Sequence, residues 1–149
     1  MSPLKQPLLN GSFFHWRNGV LHVEEVAVDN LCDRWGTPLF VYSKAAIVSA
    51  ISSYRRGLTN RDHRICYAMK ANSNLAILQL LSSLNCGFDI VSGGELDRAL
   101  AIGANPCDVI FSGVGKSTSE IRAALRAGIG CFNVESIGEL RLLDRIANE

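Results

Sequence analysis

The 149-residue chain has no close pair of cysteines, no histidine cluster and no long apolar run, and its net charge is only +1. Cys32, Cys66, Cys86, Cys107 and Cys131 are scattered and odd in number, so free buried thiols in a reducing compartment are the simplest account. No short metal-ligand spacing occurs, and a zinc site would have to gather ligands from distant segments. His15, His22 and His63 have no partners at a diagnostic spacing, which leaves neither a metal set nor a nucleophilic triad. Near-neutral charge gives no reason to expect nucleic acid or an anionic membrane as partner. The opening residues 1–16 lack a long apolar core and a small-residue cleavage site. No secretory signal and no transmembrane helix is read there, and the expected location is the cytoplasm. Trp16 and Trp35 are expected to pack rather than to stack on bases.

What is present describes a soluble globular protein, with 48% apolar and 19% charged residues and a length that suits one ordinary domain. Residues 1–18 read as an irregular lead-in ending in an Asn18-Gly19 turn, followed by an extended piece at Val20–Val23. Ala27, Leu31 and Trp35 mark one face of a helix that Gly36-Thr37-Pro38 stops. Leu39-Phe40-Val41-Tyr42 is rich in strand formers, and Ser43 can cap a helix over residues 44–56. A rhythm then sets in. Strands are predicted at 64–69, 87–91, 108–111 and 131–134, each followed by a helical pattern, at 75–84, 94–102, 119–127 and 137–146. Their spacing is that of βα units with short connections. The strands are apolar on consecutive positions, as expected where helices cover a sheet. Gly103 and Gly128 fall just past two helices, where a left-handed residue is easily accommodated. Periodicity alone permits either an open doubly wound sheet or part of a closed barrel.

Polar residues gather after each repeat strand. Lys70 follows the first, Asp89 and Ser92 surround the end of the second, Ser112 follows the third, and Asn133, Glu135 and Ser136 finish the fourth. Groups after successive parallel strands share one rim of the sheet. A lysine closing a buried strand is either a surface cap or, with a partly deprotonated amine, a Schiff-base former. Helix capping accounts for Ser92, Ser117 and Ser136. It accounts less well for Asp89, which interrupts a strand between Phe88 and Ile90. Gly113-Val114-Gly115-Lys116-Ser117 ends like a nucleotide phosphate loop, but Ile110 stands where the first glycine is required, and the match fails. Lys116 is left as a solvated helix-entry lysine or a neighbour of an anionic ligand.

Tyr67-Ala68-Met69-Lys70-Ala71-Asn72-Ser73-Asn74 resembles the cofactor-lysine motif of diaminopimelate decarboxylases. Gly87–Leu96, Phe111–Ser117 and Cys131–Ser136 resemble three further blocks of that family in the same order, and Asn18–Glu24 and Gly36–Ser43 look like its amino-terminal strands. The resemblance covers nearly the whole chain. It implies an α/β fold, a partial (β/α)8 barrel of the alanine racemase-like type preceded by a segment of a β-rich domain. Residues 1–43 would belong to the β-rich domain and residues 44–149 to the first part of the barrel. It implies pyridoxal 5'-phosphate as cofactor, Lys70 as its covalent anchor and Asp89 as a residue positioning Lys70 or the cofactor. The implied reaction converts meso-2,6-diaminopimelate to L-lysine and carbon dioxide, in a homodimer acting on a small-molecule amino acid. Relatives carry more barrel strands and the rest of the β-rich domain, so the chain is expected to be inactive by itself. Ornithine- or arginine-type decarboxylases, or a noncatalytic remnant, are the alternatives.

Overall fold

The computed structural model describes residues 13–149, and the chain divides into two compact units, residues 1–61 and 62–149. In the first unit, strands β1 (Phe14–Arg17), β2 (Val20–Val23) and β3 (Val26–Ala27) form an antiparallel sheet in chain order. Asn18 (φ 52°) and Gly19 (φ 79°) both take left-handed backbone, the conformation that a two-residue hairpin turn needs to match strand twist. The irregular lead-in expected over residues 1–18 is thereby corrected at its end, because Phe14–Arg17 pairs with β2 in the register Phe14↔Val23. Four residues with little alternation gave no strand signal without that partner. The remainder of the lead-in, residues 1–12, lies outside the described residues.

Helix α1 (Val28–Trp35) begins one residue later than its periodicity suggests, because Ala27 is paired with His22. It stops at Gly36, as expected. Both tryptophans are a correction: Trp16 is 41% exposed and Trp35 60%, and Trp35 carries the Arg34 guanidinium 4.6 Å from its ring centroid. The strand expected at 39–42 does not form either. Strand preference expresses packing on a pleated, partnered surface; no strand pairs with this segment among the described residues, and Phe40 stands 86% exposed. Helix α2 (Lys44–Gly57) starts at Ser43 as expected, with Ser43 Oγ accepting from the Ala46 N–H at 2.9 Å. The same hydroxyl donates to Glu24 Oε1 at 2.7 Å, and the Ala45 N–H donates to that oxygen at 2.9 Å. The Ala45 contact, then the Ser43 one, holds the Glu24 carboxyl below its ordinary value.

In the second unit, β4 (Cys66–Ala68), β5 (Gly87–Ile90), β6 (Val109–Phe111) and β7 (Cys131–Phe132) form a wholly parallel sheet in strict chain order. Between and after them run α3 (Leu75–Ser83), α4 (Gly93–Ala101), α5 (Thr118–Ala127) and α6 (Ile137–Ala147). All four predicted βα units are present, with strands shorter than expected by a residue or more. No reversal of strand order, the mark of a doubly wound sheet, occurs among these strands; consecutive order is that of a barrel wall.

Register separates the two faces of this sheet. Phe88 pairs with Val109 and Ile90 with Phe111; all four are at most 1% exposed. The inward stripes of the helices, Leu78, Leu81, Leu96, Ala99, Ile121 and Ala124, are at most 2% exposed. Burying each large side chain contributes about 1.5–3 kcal/mol. On the other face Ala68, Asp89 and Ile110 lie side by side and are only half-buried, so helices cover one face of the sheet rather than both. Two glycines are required by close backbone approach. A Cβ on Gly87 would meet the Asp108 carbonyl, and one on Gly130 the Cys107 carbonyl. The thiols divide differently from expectation: Cys86 is buried, Cys32 and Cys66 are half-buried, and Cys107 and Cys131 are exposed, and none forms a disulfide among the described residues. Desolvation pushes the Cys66 thiol above its ordinary value.

Candidate active site

Alternation along the half-buried face carries Asp89 in β5, Ser112 two residues beyond Ile110, and Asn133 two residues beyond Cys131 to the same side of the sheet. The side chains meet there. Ser112 Oγ donates to Asp89 Oδ1 at 2.5 Å, and Asn133 Nδ2 donates to Ser112 Oγ at 3.0 Å.

Lys70 lies in a 3-10 turn, Met69–Ala71, directly after β4, and this turn packs against β5. Met69 is wholly buried and anchors the turn; Lys70 beside it is exposed. The turn is braced from three directions. Tyr67 Oη donates to the Asn72 carbonyl at 3.2 Å, Arg98 of α4 donates to the Ser73 carbonyl at 3.2 Å, and Asn72 Oδ1 accepts from the Asn74 N–H at 2.9 Å. Asn74 Oδ1 in turn caps α3 through the Ala76 N–H. The Asn72-Ser73-Asn74 part of the motif is thus backbone machinery that fixes where Lys70 emerges. Among the described residues Lys70 makes no hydrogen bond or ion pair, so none of them competes for its amine.

Lys116 is placed quite differently from either expectation. Its side chain is 1% exposed, and its ammonium donates to the Gly113 carbonyl (2.7 Å), the Asn133 carbonyl (2.7 Å) and Glu139 Oε1 (2.6 Å). An ammonium has three protons; all are used, and none is left for a phosphate. The Lys116 hydrogen bond holds the Glu139 carboxyl below its ordinary value. Glu139 was not singled out by sequence. Its signal was the thrice-repeated Ser-x-x-Glu: Ser92, Ser117 and Ser136 each cap a helix by accepting from the N–H of Glu95, Glu120 and Glu139. Glu120 also accepts from the Gly93 N–H at 2.8 Å. Its carboxyl lies below its ordinary value, first through the Ser117 hydroxyl and then through Gly93.

Among the described residues no group of three or more His, Cys, Asp or Glu side chains is arranged to hold a metal ion, and no helix is long and apolar enough to cross a membrane. The donor set suits an organic cofactor bearing an aldehyde and hydrogen-bonding groups: one accessible primary amine, a carboxylate on the next strand, and hydroxyl and amide groups beyond it.

A parallel βα wall with polar groups gathered at its strand-end rim defines the class of α/β barrel proteins. Residues 44–149 match the family model described as pyridoxal-dependent decarboxylase, pyridoxal binding domain, and the chain belongs to that family, whose cofactor is pyridoxal phosphate. It is 48% identical over 136 residues to the diaminopimelate decarboxylase of Pseudomonas aeruginosa, covering 91% of this chain and 33% of the relative. Among solved structures it resembles diaminopimelate decarboxylase from M. jannaschii, with a TM-score of 0.87 at 34% identity, over 92% of this chain and 33% of that one. The same enzyme in complex with L-lysine gives 0.86, over 91% and 32%. The homology is therefore to diaminopimelate decarboxylases, and the four βα units match part of their alanine racemase-like barrel. The chain spans about a third of the length of the relatives it matches.

Proposed function

We propose that the chain forms the cofactor-anchoring part of a decarboxylase that converts meso-2,6-diaminopimelate to L-lysine and carbon dioxide, with Lys70 as the anchor. The observation that carries the proposal is an exposed lysine amine, without a partner among the described residues, held at a strand end by a braced turn. When bound, pyridoxal phosphate supplies an electron sink for the pair left by the departing carboxylate. Lys70 Nζ would hold the cofactor through its aldehyde carbon, a link whose formation releases water. Asp89, on the strand adjoining β4, orients the cofactor environment. The likeness to proteins named diaminopimelate decarboxylases supports this substrate over ornithine or arginine.

We further assign residues 1–43 to a β-rich domain and residues 44–149 to the barrel, and we expect a homodimer in the cytoplasm. Five cysteines outside any disulfide fit a reducing compartment. The test is incubation of the chain, and of any longer natural form containing it, with pyridoxal phosphate, followed by borohydride reduction and peptide mass mapping. A pyridoxyl adduct on Lys70, lost in Lys70→Ala, is expected. Turnover of diaminopimelate in preference to ornithine and arginine by the longer form is expected with it. A folded, substrate-active protein without that adduct refutes the assignment.

A further inference from the structure

The rim hydrogen bonds form one unbroken run through three strand ends to a helix. Glu139 on α6 accepts from Lys116 Nζ, the same ammonium donates to the Asn133 carbonyl, the Asn133 amide donates to Ser112 Oγ, and Ser112 donates to Asp89. We propose that Ser112 and Asn133 are positioning residues. They hold the Asp89 carboxylate in one orientation toward the cofactor carried by Lys70, and the Lys116–Glu139 ion pair is the fixed end of the run. This rests on the reading of Lys70 as cofactor anchor.

The directions of the bonds support the assignment. With the Asn133 amide on one lone pair of Ser112 Oγ, the hydroxyl proton is directed to Asp89. The opposite end of the same amide, Oδ1, faces Cys131 Sγ at 4.0 Å, which fits the orientation with Nδ2 toward Ser112. The terminal torsion of a carboxylate is broad by nature; engaging Oδ1 at 2.5 Å narrows it and leaves Oδ2, without a hydrogen bond among the described residues, as an acceptor for a ligand. Burial does not demand such a network. Asp89 and Ser112 are half-buried and Asn133 is exposed, so water could have satisfied each of them separately. Lys116 is the opposite case. Taking its charge out of water is costly, and the value of a buried pair lies in fixing geometry rather than in adding stability. The geometry fixed here is that of Asn133, held by its backbone carbonyl.

The test is a pyridoxal phosphate titration of wild type, Ser112→Ala, Ser112→Thr, Asn133→Ala and Asp89→Asn, reading the dissociation constant and the pH midpoint of the visible band of the Lys70-bound cofactor. Loss of one charge-assisted hydrogen bond predicts cofactor binding roughly three- to tenfold weaker in Ser112→Ala. Its pH midpoint is expected to move in the same direction as in Asp89→Asn, with Asn133→Ala following by less. Ser112→Thr, which keeps the hydroxyl, restores both readings. In an Asp89→Asn background Ser112→Ala adds nothing, because residues acting through one another are not additive. A bound cofactor whose affinity and midpoint ignore Ser112→Ala overturns the positioning role alone, as does full additivity with Asp89→Asn. A lowered melting temperature with an unmoved midpoint means a merely structural serine and overturns it too. Absence of any Lys70 adduct in wild type overturns the anchor reading and this one with it.

Discussion

Replacing Lys116 with methionine keeps the length of the side chain and removes its charge. Three acceptors then lose the ammonium together: the Gly113 and Asn133 carbonyls and the Glu139 carboxylate, which keeps the Glu135 N–H on Oε2 at 3.0 Å but loses its counter-charge. Glu139 is the expensive one, since its side chain is 11% exposed and a buried charge left without its partner costs about 3–5 kcal/mol. Stability of roughly 0.05–0.15 kcal/mol per residue gives a unit of this size about 4–13 kcal/mol in all. Lys116→Met alone should therefore remove about a quarter or more of the stability of the second unit, read as a fall in the urea midpoint by circular dichroism with an unchanged slope. Lys116→Met combined with Glu139→Leu should be far less damaging than Lys116→Met alone, because an apolar pair of similar volume carries no desolvation cost. A single-variant loss below about 1 kcal/mol, the range of exposed ion pairs, would refute the claim that the pair is buried. A double variant as unstable as the single would refute the claim that the orphaned carboxylate is the source of the loss.

Acid should unfold the chain for a related reason. Glu120 and Glu139 are both depressed from 4.5 in the folded state, so the unfolded chain takes up protons first as pH falls. The stability they contribute is full above that value and is lost as pH drops through their folded values. Glu120→Gln and Glu139→Gln should each flatten the acid limb of a stability-against-pH curve; an unchanged limb in both counts against the assignment. Gly130→Ala would press a methyl group onto the Cys107 carbonyl, and overpacking costs about 1–3 kcal/mol. An urea midpoint equal to wild type in Gly130→Ala would show that the β7 entrance has slack.

The βα rhythm of residues 64–149 was legible because every unit states its start and stop locally. Ser92, Ser117 and Ser136 open helices, and Gly128 closes one in the left-handed conformation with φ 72°. The position of Lys70 after β4 followed from that rhythm alone. What local pattern could not carry was anything decided by a partner. Phe14–Arg17 is a strand only because Val20–Val23 lies opposite, while the stronger strand formers at 39–42 have no partner strand and make none. Lys116 misled for the same reason. A Gly-Lys-Ser at a helix entry is solvated unless acceptors arrive from elsewhere, and these come from residues 113, 133 and 139. The sharing of Asp89 with Ser112 was likewise hidden across 23 positions of chain.

The alternation of faces explains why an aspartate can sit inside a buried strand at all. In β5 the positions on either side of Asp89, Phe88 and Ile90, point into the helix layer and are at most 1% exposed; these and their neighbours Val109 and Phe111 bind sheet to helices. Asp89 falls on the opposite face by parity, beside Ala68 and Ile110. A one-residue slip of β5 would exchange the two sets, burying a carboxylate under the helices and exposing two large apolar side chains. The cost of that exchange, an uncompensated buried charge added to two lost burials, makes the register of β5 strongly specified. The same packing that stabilises the unit therefore also delivers the carboxylate to the rim, on the strand next to the one that leads into the Lys70 turn.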